Sequence, residues 1–247
     1  MLEARQSDLG IHRSDNCLTR AVTPKARRKT VRVFEDVRAK QVLTEARFAR
    51  GTEVHGFTRG QFSFIDLIEA ILSHTGPADV VVSTWAASLT DLGRLALFCD
   101  DGRIGRARFL LDGAFESYNK PSAMALREKF GDENIRVVPN HAKFVMIGNA
   151  DWSVTVQTSM NLNQNRRIEQ FTIIEDADFY AGYGELVADI WGIQPPGAGF
   201  GEGGYHRSVM TLASLFERKA GVFGEIEIDA FGGFGVPTLD DFAAPAL

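Results

Sequence analysis

The spacing of apolar residues along the middle of the chain predicts alternating helices and strands. After Ser63, apolar residues recur every three or four positions, which indicates an amphipathic helix that ends near Gly76. The run 79–85, centred on three valines, predicts a buried strand. The alternation continues with predicted helices from Ser88 to the turn at 100–102 and over 121–130, and with predicted strands over 106–111 and 135–138.

The pattern changes after residue 140. Three strand-like runs follow with short connections, over 141–147, 152–157 and 168–174, and turn residues 148–151 join the first two like a hairpin. An amphipathic helix is predicted over 178–191 and a last helical run over 205–219. The predicted fold class is therefore α/β, with a mixed, largely parallel sheet flanked by helices.

Charge is distributed unevenly along the chain. The formal net charge is -5, but residues 1–50 hold 12 Lys and Arg against 6 Asp and Glu, whereas residues 51–247 hold 15 against 26. A basic run of this kind can lie along phosphates and strengthen nucleic-acid binding, although a solvated, partly disordered arm has the same composition. The candidate nucleic-acid contacts in this run are Lys25, Arg27, Arg28, Lys29 and Arg32.

Several classes of protein have no support in the sequence. The two cysteines, Cys17 and Cys99, lie far apart and outside any Cys/His cluster, which argues against a structural zinc site and fits a reducing compartment. The first twenty residues lack the apolar core of a signal peptide, and no stretch reaches the ~18 apolar residues that cross a bilayer. We therefore expect a cytoplasmic protein without stable membrane association.

The candidate chemistry lies between residues 141 and 169. Side chains alternate across a strand, so a strand that begins at residue 141 would place His141 and Lys143 on one face. Ser159 and Asn161 follow the next predicted strand, and Glu169 lies on the one after it. An imidazole, a cation and two neutral donors suit a phosphoryl group. The same residues are also typical of a solvated strand end and a turn.

His-x-Lys on a strand, then a Ser-x-Asn turn, then a Glu, resembles the signature half of the phospholipase D superfamily. That superfamily includes small bacterial nucleases with one copy of the motif in each chain. Its order, His-x-Lys-x4-Asp, Gly-Ser-x-Asn and Glu, corresponds here to His141-x-Lys143, Thr158-Ser159-x-Asn161 and Glu169. Gly148 stands at the family's Asp, and Thr158 stands at its first Gly. The resemblance covers roughly residues 60–190.

The resemblance implies a phosphodiesterase that needs no metal and no cofactor. His141 would be the nucleophile and form a phosphohistidine, and the partner's His141 would protonate the leaving oxygen. Lys143, Ser159 and Asn161 would hold the phosphate, and Glu169 would orient His141. One motif in each chain implies a homodimer with a shared site. The implied organisation is a basic arm (1–50), a catalytic domain (51–192), a glycine-rich linker with a helix (193–220) and an acidic tail (221–247).

We therefore expect a nuclease, with DNA favoured over RNA as the partner and with the basic arm and Arg167 adding phosphate contacts. A phospholipid phosphodiesterase or transferase uses the same chemistry. Two further alternatives come from other classes of protein. One is a nucleic-acid-binding module that kept the fold but lost turnover. The other is an adaptor whose acidic tail, from Phe231 to Phe242, docks to a partner.

Overall fold

The computed structural model describes residues 28–33, 38–164 and 166–210, which all belong to one compact unit. In this part of the chain, eight strands form a single mixed sheet. The strands are β1 (Lys29–Val33), β2 (Thr52–Thr58), β3 (Ala78–Thr84), β4 (Ile104–Asp112), β5 (Ile135–Val138), β6 (Phe144–Gly148), β7 (Ser153–Thr158) and β8 (Glu169–Glu175). The helices are α1 (Ala39–Ala46), α2 (Phe64–Thr75), α3 (Leu89–Asp100), α4 (Phe115–Tyr118), α5 (Lys120–Phe130) and α6 (Ala177–Ile193), and residues 204–210 are also helical.

The strand order across the sheet is β1-β2-β8-β7-β6-β3-β4-β5. Parallel pairing joins β1 to β2 on one side and β3, β4 and β5 on the other, while β8, β7 and β6 form the antiparallel middle. The predicted mixed α/β fold is therefore confirmed, with parallel pairs confined to the two flanks. Because β6 and β8 run opposite to the other strands, their first residues lie at the same edge as the last residues of β2, β3, β4, β5 and β7.

Local signals position the helices as the sequence predicts. Ser63 and Asp66 form a capping box at the start of α2. At the start of α3, the Ser88 hydroxyl accepts a hydrogen bond from the Asp91 amide at 3.1 Å. Each cap satisfies backbone donors that the first helical turn leaves unpaired. These two helices follow β2 and β3, so their starts lie at the sheet edge that carries the ends of those strands.

Part of the predicted basic arm belongs to the fold. β1 pairs with β2 from Lys29 to Val33, and α1 buries Val42 and Leu43 in the main core. The boundary at residue 50 therefore differs from the structure, which already begins the sheet at Lys29. The sequence did not predict these short elements, because each has only a few apolar residues that face the core and several basic residues beside them. The predicted acidic tail, together with Lys25 and Arg27, lies outside the described residues.

Two apolar clusters lie on opposite faces of the sheet. The larger one packs residues of α1, α2, α3 and α5 against the sheet. The smaller one packs Val187 and Ile190 of α6 against β4, β5 and β6. On the α6 face, the side chains of β1, β2 and β8 are more exposed, and Phe57 is 50% exposed. In the described residues, no helix is both long and apolar enough to cross a membrane.

Candidate active site

The candidate site lies at the sheet edge where β6 and β8 begin and where β3, β4 and β7 end. His141 and Lys143 precede β6, Ser159 follows β7, and Glu169 begins β8. The antiparallel register of β6, β7 and β8 brings these three segments side by side. An open cleft of about 490 Å³ lies along them, and its lining includes His141, Lys143 and Ser159.

The strand predicted over 141–147 begins only at Phe144 in the structure. Before it, the side chain of Asn140 holds the segment: its carbonyl accepts from the Ala142 amide at 3.0 Å, and its amide donates to the Ser83 hydroxyl at 3.0 Å. The Ser83 hydroxyl in turn donates to the Ala142 carbonyl at 2.8 Å. These side-chain hydrogen bonds take the place of the backbone bonds that a strand would make here. His141 therefore lies on a turn that is bonded to β3.

Asp112 supports the same turn from the end of β4. One of its carboxylate oxygens accepts from the backbone amide of Asn140 at 3.0 Å, and the other accepts from the backbone amide of Ala114 at 2.8 Å. Sequence reasoning missed Asn140, Ser83 and Asp112, because their contacts join positions far apart in the chain. The one local signal was the Pro139-Asn140 pair, which is typical of a turn.

Lys143 is partly buried beside the His141 turn. Its ammonium donates to the His141 carbonyl at 2.8 Å, and its own carbonyl accepts from the Thr158 amide at 3.0 Å. Burial lowers the pKa of Lys143 from its usual value, and the negative charges of Glu169 and Asp112 offset part of this shift. The charges of both carboxylates therefore act on the ammonium, which lines the cleft.

Ser159 joins the end of β7 to the start of β8. Its hydroxyl donates to the Glu169 carboxylate and accepts from the Gln170 amide at 2.9 Å. The Ser159 amide also donates to the Gln170 carbonyl at 3.1 Å, so the register makes Ser159 the neighbour of Glu169.

The His141 imidazole is exposed at the mouth of the cleft and faces an aromatic pair. Its ring centroid lies 6.4 Å from that of Trp85, which itself lies 5.3 Å from that of Tyr118. Asn161 lies deeper, where its side-chain oxygen accepts from the Thr84 hydroxyl at 3.4 Å. The structure thus brings His141, Lys143 and Ser159 to one cleft, with Glu169 behind Ser159 and with Asn161 tied to the end of β3.

The candidate nucleic-acid contacts divide into two groups. Arg28 is bound by two carboxylates, those of Glu53 at 2.9 Å and Asp176 at 2.8 Å, and its side chain is 16% exposed. It therefore joins β2 to the start of α6, which differs from the phosphate contact predicted for it. In contrast, the side chains of Lys29 and Arg32 on β1, and of Arg167 before β8, are exposed.

Gly148, which stands at the family's Asp, lies at the far end of β6 from the cleft. Lys143 is five residues away, a distance of roughly 16 Å along a strand. A β-carbon at Gly148 would lie 2.4 Å from the Tyr180 hydroxyl oxygen and 2.7 Å from the ring carbon that carries it. Tyr180 of α6 therefore occupies the space that an aspartate side chain would need.

No protein-family model matches the chain, and neither does any curated protein sequence. The chain is similar to solved structures, at low identity. Polyphosphate kinase from Porphyromonas gingivalis is 14% identical, with a TM-score of 0.46 over 68% of this chain and 31% of that one. Nuc from Salmonella typhimurium, a phospholipase D family member, is 12% identical, with a TM-score of 0.42 over 57% and 94%.

Phosphatidylserine synthase from Haemophilus influenzae is 15% identical, with a TM-score of 0.37 over 58% of this chain and 38% of that one. The chain thus spans about a third of the polyphosphate kinase and of the synthase, and it spans nearly all of Nuc.

Proposed function

We propose that the chain is a metal-independent phosphodiesterase that cleaves nucleic acid through a covalent phosphohistidine. The observation that carries this proposal is the convergence of an exposed imidazole, a partly buried ammonium and a hydroxyl–carboxylate pair on one cleft. These groups supply the functions that phosphodiester transfer needs: a nucleophile, a fixed positive charge and polar groups that hold the phosphate.

The reaction proceeds by two displacements at phosphorus. The neutral His141 imidazole attacks the phosphodiester, the P–O bond to the leaving group breaks, and the leaving oxygen takes a proton from the partner's His141. Water then attacks the phosphohistidine while the same partner imidazole takes up a proton, which releases the monoester and restores His141. Lys143 stabilises the negative charge that grows on the non-bridging oxygens.

The site suits a shared arrangement of two chains. His141 is exposed at the sheet edge, and the described part of one chain places no second imidazole in the cleft. A second copy related by a two-fold axis would supply that imidazole to one shared site. Homodimerisation is therefore part of the proposal.

The test compares wild type, His141→Ala and His206→Ala in excess EDTA. His206 is an exposed histidine outside the cleft and serves as the matched control. The substrates are single-stranded DNA, duplex DNA, RNA, a phosphatidylcholine vesicle and a chromogenic phosphodiester. We expect wild type and His206→Ala to cleave nucleic acid, and His141→Ala to lose activity by about 10³-fold or more. Acid-quenched wild type should carry a phosphoryl group on His141, detectable by mass spectrometry.

Two other outcomes would replace the proposal. Cleavage of the vesicle lipid alone, lost in His141→Ala, would assign the same chemistry to phospholipids. Nucleic-acid binding by a folded, dimeric wild type that cleaves none of the substrates would assign a binding module. The position of Gly148 does not favour that second outcome, because it lies at the end of β6 away from the cleft.

A further inference from the structure

The active-site cleft continues into a second cleft on the same face of the sheet. The second cleft has a volume of about 340 Å³, and its lining includes Arg32 of β1 together with His55 and Phe57 of β2. The two clefts share Gln170, Phe171 and Thr172 of β8. They therefore form one path across the sheet, which we name the sheet-face groove.

The sheet register explains why this groove is open. Residues that are opposite each other in paired strands point to the same face of the sheet. Gln157 of β7 is opposite Phe144 of β6 and Thr172 of β8, and Phe57 of β2 is opposite Gln170 of β8. All of these side chains therefore lie on the α6 face. Helix α6 packs on the β4, β5 and β6 part of that face. From β6 to β1 there are four strand spacings, or about 19 Å. The groove is long enough for several units of an extended polymer.

The groove is lined by cations although the whole chain is acidic. The net charge of the chain is -5, yet the described residues that line the groove include the cations Arg32 and Lys143 and no Asp or Glu. The Glu169 carboxylate lies behind this lining, where it accepts from the Ser159 hydroxyl. The carboxylate of Glu53 is the nearest along β2, and it is bound by Arg28 at 2.9 Å and by His55 at 2.9 Å. The groove is complementary to a polyanion.

We propose that the sheet-face groove binds a single-stranded polynucleotide and leads its backbone to Lys143 and His141. This inference rests on the proposed function and names its substrate. Phe57 lines the groove and is 50% exposed, and an aromatic ring can stack on a base only when that base is unpaired. The amide and hydroxyl of Gln170 and Thr172 can bond bases without selecting a sequence. A second copy of this chain is the other candidate occupant, and the cations Arg32 and Lys143 along the groove favour the polynucleotide.

Binding is measured with the full-length His141→Ala protein in EDTA, so that cleavage does not interfere and the result does not depend on turnover. The probe is a labelled oligonucleotide, used as a single strand and annealed to its complement, and fluorescence anisotropy gives Kd at several salt concentrations. We expect the single strand to bind about tenfold or more tightly than the duplex. Phe57→Ala should weaken single-strand binding by roughly tenfold. Arg32→Gln should reduce the slope of log Kd against log salt by about 0.7.

The matched controls lie outside the groove: Leu97→Ala replaces an exposed apolar residue of α3, and Arg106→Gln replaces an exposed arginine of β4. Neither should change Kd or the salt slope. The inference would be overturned if duplex bound as tightly as the single strand. It would also be overturned if Phe57→Ala and Arg32→Gln left single-strand binding unchanged. Sedimentation of each variant detects the other occupant, since loss of the dimer in Phe57→Ala would identify this face as a contact between chains. If wild type cleaves nothing but these changes in Kd and salt slope appear, the groove binds single strands as inferred and the proposed catalysis is wrong.

Discussion

Lys143 is a cation held partly out of water, and the pH dependence of activity should reveal it. Burial lowers its pKa from the ordinary value of 10.5, and Glu169 and Asp112 offset part of the shift. The ammonium is charged below its pKa and neutral above it, so phosphate binding should fail on the alkaline side, at a pH below 10.5. Lys143→Arg stays charged throughout this range, so its alkaline loss of activity should move to higher pH even if its rate is lower.

The measurement is kcat/KM for the chromogenic phosphodiester across the alkaline range. Lys129→Arg, at an exposed position of α5, is the control and should leave the profile unchanged. An alkaline fall that stays in place in Lys143→Arg would show that another group controls it.

The hydrogen bond between Ser159 and Glu169 predicts that the two residues act as a unit. The Ser159 proton is held by Glu169, and the Ser159 oxygen accepts from the Gln170 amide. Ser159→Ala and Glu169→Gln should therefore each impair kcat/KM, while the double variant should lose about as much as the worse single one. The coupling energy should be about 1–2 kcal/mol.

A second cycle serves as the control for this pair. Glu128 is exposed on α5, so Ser159→Ala and Glu128→Gln should combine additively. Additive losses for Ser159 and Glu169 as well would show that their hydrogen bond has no part in the reaction.

Among the elements, α6 explains why a glycine ends β6. Any side chain at Gly148 meets the Tyr180 hydroxyl and ring. Gly148→Ala should therefore lower the free energy of unfolding by about 1–3 kcal/mol. Gly93→Ala is the matched control, because that α3 position is open, and it should raise stability by up to about 1 kcal/mol.

Urea unfolding measures both variants. If Gly148→Ala were as stable as Gly93→Ala, the close approach of Tyr180 would be wrong. Gly148→Asp should be at least as destabilising as Gly148→Ala, and it should not raise activity, since it lies at the end of β6 away from His141.

The elements also show what the sequence can predict. Between residues 63 and 138, α2, α3 and α5 and the strands β3, β4 and β5 were predicted, because each has its own apolar period and the helices have caps such as Ser63 and Ser88. The four-residue α4 was not predicted, since it is too short to show a period and has no side-chain cap. β1 was missed because its exposed residues are Lys29, Thr30 and Arg32, and only Val31 and Val33 pack against the core. The predicted start of β6 was wrong because Asn140 contacts Ser83 and Asp112, which are far away in the sequence. The local pattern of apolar residues carries no information about such contacts.

At the scale of the whole molecule, the proposed shared site predicts that activity depends on the pairing of chains. When wild type and His141→Ala are mixed in equal amounts and allowed to exchange subunits, only dimers that carry two His141 side chains should be fully active. The mixture should then keep about a quarter of the wild-type rate per dimer, against about half if each chain works alone. Mixing with His206→Ala is the control and should not reduce the rate.

Sedimentation at the assay concentration supports the same measurement. A strict monomer with full activity would rule out a mechanism that uses two His141 residues. Because the sheet-face groove includes the candidate active-site cleft, a dimer that brought two of these clefts together would also bring two grooves to one centre.

The bonds that hold the His141 turn have a thermal consequence. The turn is tied by Asn140 and Ser83 to β3, and by Asp112 to the end of β4, and β3 lies well inside the sheet. A nucleophile on a surface loop can fray while the rest of the protein stays folded. If His141 is the nucleophile, as proposed, the backbone that carries it should keep its position until the sheet itself opens, so heating should abolish activity and structure at the same temperature.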